Sequence, residues 1–119
     1  MTKLISWVEI PTQDFGRAVS FYRTVLKIDL EPIDYGREKM ACFPGGEGAI
    51  IYEPDFKPGE DGTLVSFNAE NDLDGAIERI KAEGGKIVRP KTKIDKEGDA
   101  YFAVFIDCEG NKAGLYGNS

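Results

Sequence analysis

Among the residues able to do chemistry, Glu9 stands out, because strand-like alternation from Ser6 to Ile10 puts it on the same face as Trp7 and opposite Val8 and Ile10. A carboxylate half-buried among aromatic rings has its charged form penalised, and it could then shuttle a proton or pair with a cationic ligand. The same carboxylate could equally accept hydrogen bonds from nearby backbone or tyrosine groups and only position the strand end. Both roles stay open. Trp7, Tyr52, Phe67, Tyr101 and Tyr116 could wall one cleft with Glu9, and aromatic walls suit planar or cationic ligands. Such residues more often serve as core.

Other chemistries lose their residues at once. The chain has no histidine, so neither a serine nor Cys42 or Cys108 has an imidazole to activate it. Gly45-Gly46-Glu47-Gly48 lacks phosphate-loop spacing, precedes no helix, and reads as a hairpin turn. Asp107 to Asn111 reads as another turn. Two cysteines this far apart in an otherwise cysteine-poor chain are expected as small reduced hydrophobes, although they could in principle pair.

The elements that must position these residues fit one domain. With 119 residues the chain buries enough surface for a real core. Its 15 basic and 21 acidic residues give a formal charge of −6 without any basic cluster, which argues against a nucleic-acid partner. An acidic surface tolerates or attracts cationic small molecules instead. No apolar run is long enough to span a bilayer, and MTKLISWVEI reaches Glu9 before a signal-like apolar region develops. No membrane partner is expected, and a cytoplasmic protein is.

The first strand gives way after Pro11 to a helix with Asp14 as its N-cap and Phe15, Ala18, Val19, Tyr22, Val25 and Leu26 at helical spacing along one face. Short strands broken by Asp34-Tyr35-Gly36 and Pro44-Gly45-Gly46 carry the chain to Tyr52. Residues 54–62 are rich in proline, glycine and acid and read as a connection. An offset of 58 then superposes Asp14 on Asp72, Ala18 on Ala76, Val19 on Ile77 and Tyr22 on Ile80. The chain is therefore expected to be a single domain, 1–119, made of two modules, about 1–53 and 63–119, each ordered strand, helix, strand, strand, strand. The fold class is α+β: tandem βαβββ modules in a curved mixed sheet, helices outside and a concave cleft within.

These motifs resemble the glyoxalase, bleomycin-resistance and extradiol-dioxygenase superfamily, the vicinal oxygen chelate proteins. The residues that carry the resemblance are Trp7 to Asp14, Arg17-Ala18, Phe21-Tyr22 and Val25-Leu26, then Asp72-Leu73-Asp74 and Gly84-Gly85, and finally Asp107 to Asn111. The family usually has proline where Cys108 stands and glycine where Lys27 ends the helix, so Lys27 is expected in a left-handed conformation.

Metal-dependent members place His and Glu ligands on the first and fourth strands of each module. The resemblance maps those positions to Trp7, to Leu64 or Val65, to Ile50 and to Gly114, with an ambiguity from a residue inserted near Glu70. Indole, alkyl groups and bare backbone offer no lone pairs for zinc, nickel or iron, so neither a metal nor another cofactor is expected. The expected ligand-binding set is Trp7, Glu9, Ile50, Tyr52, Phe67, Tyr101, Gly114 and Tyr116, with Glu9 as the sole catalytic candidate.

The resemblance favours a metal-free protein that binds a small cationic or aromatic molecule, as bleomycin-resistance proteins do, and that forms a homodimer. A cofactor-free isomerase or lyase using Glu9, or an assembly domain without a ligand, are the alternatives, so whether the protein is an enzyme stays open.

Overall fold

A computed structural model describes residues 5–94 and 96–118. The element order is β1 (Val8–Pro11), α1 (Phe15–Leu26), β2 (Pro32–Asp34), β3 (Lys39–Cys42) and β4 (Gly48–Tyr52). The second half repeats it with β5 (Val65–Glu70), α2 (Leu73–Ala82), β6 (Lys86–Lys93), β7 (Tyr101–Ile106) and β8 (Lys112–Gly117). The expected pair of βαβββ modules is therefore present, and no helix is long and apolar enough to cross a membrane among the described residues.

Each module makes its own four-stranded mixed sheet, in the order β1-β4-β3-β2 and β5-β8-β7-β6. The first and last strands of each module pair in parallel, and the remaining pairs are antiparallel. This is the pattern a helical crossover followed by a meander produces.

Local chemistry sets the helix ends. The Asp14 carboxylate accepts from Arg17 N–H at 3.1 Å, the expected N-cap bond. Lys27 closes the same helix with φ 55° and ψ 48°, so the left-handed lysine is real. Asp72 is the N-cap residue of α2 but makes no capping bond, its carboxylate being held instead by Arg79 at 2.9 Å. Glu70 has φ 52°, and the register of β5 on β8 shifts between Asn68 and Glu70, which explains the one-residue insertion near that point of the repeat.

One core joins the modules. Phe21, Tyr22 and Val25 of α1 and Leu73, Ala76 and Ile80 of α2 pack with Ala41 and Ile50 of the first sheet and with Ala103, Phe105 and Leu115 of the second. Rings carry this contact across the boundary, with Tyr22 5.5 Å from Phe67 and Phe21 6.3 Å from Phe105. The helices thus cover one side of each sheet, and the other side of each is open.

Candidate functional site

Register decides which side chains reach the open sides. In the first sheet Ile10 pairs with Ile50 and Ile50 with Ala41, all buried toward the helices. The alternate set, Glu9 with Ala49 and Cys42, and Pro11 with Ile51 and Met40, faces away from them. Trp7 lies on that open side as expected, 41% exposed, with its indole Nε1–H donating to Glu9 Oε2 at 3.2 Å.

The eight candidates therefore do not line a single cleft. Trp7 and Glu9 share the open side of the first sheet, and Gly114 and Tyr116 that of the second. Ile50 is fully buried in the core, and its neighbours Ala49 and Ile51, themselves buried, point to the other side of β4. Tyr52 lies on the same side as Ile50 and carries Lys39 Nζ 5.5 Å from its ring centroid. Phe67 packs on Tyr22 and Phe43, and Tyr101 packs against the core with Lys91 Nζ 4.6 Å from its ring. Glu9 is exposed rather than half-buried, with the Trp7 indole as its hydrogen-bond partner.

A groove of about 400 Å³ runs between the modules. The length of β1 forms one wall, Val65 and residues 111–113 form another, and Phe56 to Thr63 of the connection border it. Tyr22 reaches it from α1, and Lys57, Asp61 and Lys112 bring charge to it. Glu9 is the sole member of the expected set that lines this groove.

Sequence reasoning took Asp107 to Asn111 as a turn and missed what that turn holds. Asp107, 4% exposed, accepts from Tyr22 Oη–H at 2.7 Å and from the backbone N–H groups of Glu109 and Asn111 at 2.8 and 2.9 Å. Asn111 donates to the Pro11 carbonyl at 2.8 Å and accepts from Gly59 N–H at 3.1 Å, tying β1 and the connection to the same point. Glu109, its side chain 1% exposed, accepts from the N–H groups of Gln13 and Asp14 and from the Arg17 guanidinium. The turn of the second module thus clamps the strand, turn and helix that open the first. No local pattern announces contacts formed across some 85 to 100 residues.

This clamp also sets the titration of its members. Burial, reinforced by the Asp107 charge and hydrogen bond, pushes the Tyr22 hydroxyl well above its ordinary value. Burial, then the charges of Asp107 and Glu109, push the Cys108 thiol up to about 12. The hydrogen bond and charge of Glu109 raise Arg17 further. Cys42 and Cys108 are both free thiols.

Fold and site together define a paired-module α+β protein with open sheet faces. The family model for the glyoxalase/bleomycin resistance protein/dioxygenase superfamily matches residues 4–115, and the chain belongs to that superfamily. Similar solved structures include a glyoxalase/bleomycin resistance protein from Albidiferax ferrireducens, with 20% identity, 98% of this chain and 100% of that one covered, and a TM-score of 0.74. The fosfomycin resistance protein FosX from Listeria monocytogenes is similar at 20% identity, covering 100% and 96%, with a TM-score of 0.72. A glyoxalase I mutant from Zea mays is similar at 21% identity and TM-score 0.74, with 94% of this chain against 45% of that one. A comparison with curated protein sequences returns no match.

A mutant FosX from Listeria monocytogenes has been crystallised with Mn(II) and a dihydroxypropylphosphonic acid. The donor set here does not fit such an ion. Trp7, Ile50, Leu64 or Val65, and Gly114 carry no ligating atom on their side chains, and among the described residues no group of three or more Cys, Asp or Glu side chains converges.

Proposed function

We propose that the protein is a metal-free, bleomycin-resistance-like binder of a small cationic or aromatic molecule, held on the open side of the first sheet. The observation that carries this reading is the Trp7–Glu9 pair, an exposed indole hydrogen-bonded to a carboxylate. The indole offers a π face and the carboxylate a counter-charge, the combination that organic cations favour. Farther across the same side of the sheet, on β3 and β2, Met40 and Ile33 add apolar surface. A second copy of the chain is proposed to flank this face in a cytoplasmic homodimer.

Trp7 is the only tryptophan, so intrinsic fluorescence reads this face directly. Titration with quaternary ammonium and aromatic amine compounds is expected to quench Trp7 and to raise the melting temperature together. Glu9→Gln should weaken cationic ligands by about five- to tenfold and leave neutral aromatic ligands nearly unchanged. A panel in which no compound moves either signal removes the binding reading and leaves an assembly role. Turnover of any panel member that collapses in Glu9→Gln would make Glu9 the proton carrier of a cofactor-free enzyme. One tightly held transition ion per purified chain would overturn the metal-free part.

A further inference from the structure

The segment between the modules, residues 53–64, has no buried residue. Its root is firm: Phe56 N–H donates to the Glu53 carbonyl at 3.0 Å in a closed turn, and Arg37, from the turn between β2 and β3, reaches Glu53 at 3.5 Å and Asp55 at 3.1 Å. Its far end enters β5 at Val65. Between those anchors little holds the chain down. Among the described residues a single hydrogen bond joins residues 57–63 to the body of the protein, from Gly59 N–H to Asn111 Oδ1 at 3.1 Å.

The acceptor of that bond is fixed in advance. Asn111 is buried, and its amide group donates to the Pro11 carbonyl at 2.8 Å and to Asp107 Oδ2 at 3.2 Å, so Oδ1 has one orientation. The segment itself is free to turn. Gly62 has φ 104°, a conformation glycine adopts without penalty, and a Cβ on Gly59 would meet nothing within 4 Å. Lys57, Gly59, Asp61, Gly62 and Thr63 all border the groove between the modules, whose lining also includes the buried Ile10, Tyr22 and Ala113. Displacing the segment takes away one side of the groove and bares that apolar floor.

We propose that residues 57–63 form a hinged strap on the groove, latched by Gly59 on Asn111, which opens while the two modules stay folded. Breaking the latch gives one backbone donor to water and disturbs no core packing, since no residue of the strap is buried, so opening is a local event that costs far less than unfolding. The Glu53–Phe56 turn and Gly62 are the pivots. An open strap gives an apolar molecule a path to Ile10 and Tyr22, and a closed one restores the groove wall. The strap operates whether or not a cation binds at Trp7 and Glu9.

Native-state proteolysis of the full chain with a glutamate-specific protease, with cleavage after Glu60 followed by mass spectrometry, tests the proposal. Cleavage there is expected at a rate nearly independent of urea below the unfolding transition, because local opening exposes little surface. Gly59→Pro, which deletes the donor, should raise that rate about fivefold with the urea midpoint of unfolding preserved. Gly59→Ala, which keeps the N–H and has room for its Cβ, should leave it unchanged. Amide exchange in the unsubstituted chain should be fast at Lys57, Asp61 and Thr63 while Tyr22 and Ala113 stay protected. Cleavage that climbs with urea along the global unfolding curve overturns the strap, for the segment then opens only when the modules unfold. Equal rates in Gly59→Pro and Gly59→Ala overturn the latch. If Gly59→Pro does not fold, the urea dependence of the unsubstituted chain decides alone.

Discussion

Tyr22 and Asp107 meet in a buried hydrogen bond of 2.7 Å, the phenol of the first module's helix donating to a carboxylate at the end of the second module's third strand. The bond makes the two modules one folding unit, because Asp107 also accepts from two backbone N–H groups of its own turn. Tyr22→Phe removes the donor and leaves the carboxylate partly satisfied, so a loss of about 1–2 kcal/mol is expected in urea unfolding. Asp107→Ala abandons the phenol and both backbone donors together and is expected to cost about 3 kcal/mol or more. Equal, small losses in both variants would show that the turn does not join the modules.

Glu109 separates what a charge contributes from what hydrogen bonds contribute. Arg17 is 56% exposed, so water screens its ion pair, and Arg17→Ala is expected to cost under about 1 kcal/mol. Glu109→Ala also leaves the N–H groups of Gln13 and Asp14 without their acceptor, and about 2 kcal/mol or more is expected. A double-mutant cycle measured at low and high salt checks this. A large salt-sensitive coupling would give the ion pair the leading part.

Much of this fold was legible because its signals are local. Helical spacing from Phe15 to Leu26, the Asp14 cap, the left-handed Lys27 and the irregularity near Glu70 each depend on a few neighbouring residues. Trp7 and Glu9 fell on the expected side of β1 for the same reason. Counting back from strand ends fared worse. A slip of one residue turns a strand over, and it put Ile50 on the open side when Ala49 and Ile51 belong there. Aromatic character likewise did not tell Phe67 and Tyr101, which face the helices, from Phe102 and Tyr116, which do not. The clamp made by Asp107, Glu109 and Asn111 left no trace in the sequence beyond a turn.

Alkaline pH should loosen the same clamp. Cys108 ordinarily titrates at 9.0 and in the fold at about 12, while Tyr22 is raised from 10.0, so the folded state holds protons that the unfolded chain releases. Stability from this source is complete below pH 9 and falls as pH rises from about 9 toward 12, Tyr22 joining above pH 10. The urea midpoint should therefore be level to pH 8.5 and then decline. Cys108→Ala should remove the part of the decline that begins near pH 9. A midpoint that rises with pH in this window contradicts the assignment. Thiol labelling at pH 8 should modify exposed Cys42 well before Cys108.

Two glycines distinguish backbone contact from side-chain contact. A Cβ on Gly48 would run into the carbonyl oxygen of Val8, and within 3.0 Å of its carbon, at the start of the parallel β1–β4 pairing. Only a backbone shift relieves this, so Gly48→Ala is expected to cost about 3 kcal/mol and to displace β1, with Trp7 fluorescence changing as Glu9 moves. A Cβ on Gly114 would meet Ser66 Oγ, the movable end of a side chain. Rotation of Ser66 absorbs most of that conflict, so Gly114→Ala should cost about 1 kcal/mol and leave Trp7 fluorescence as it was. Cationic ligands of the first sheet should bind Gly114→Ala as before and Gly48→Ala more weakly. If both variants lose the same stability and weaken cationic ligands alike, the distinction between the two contacts fails.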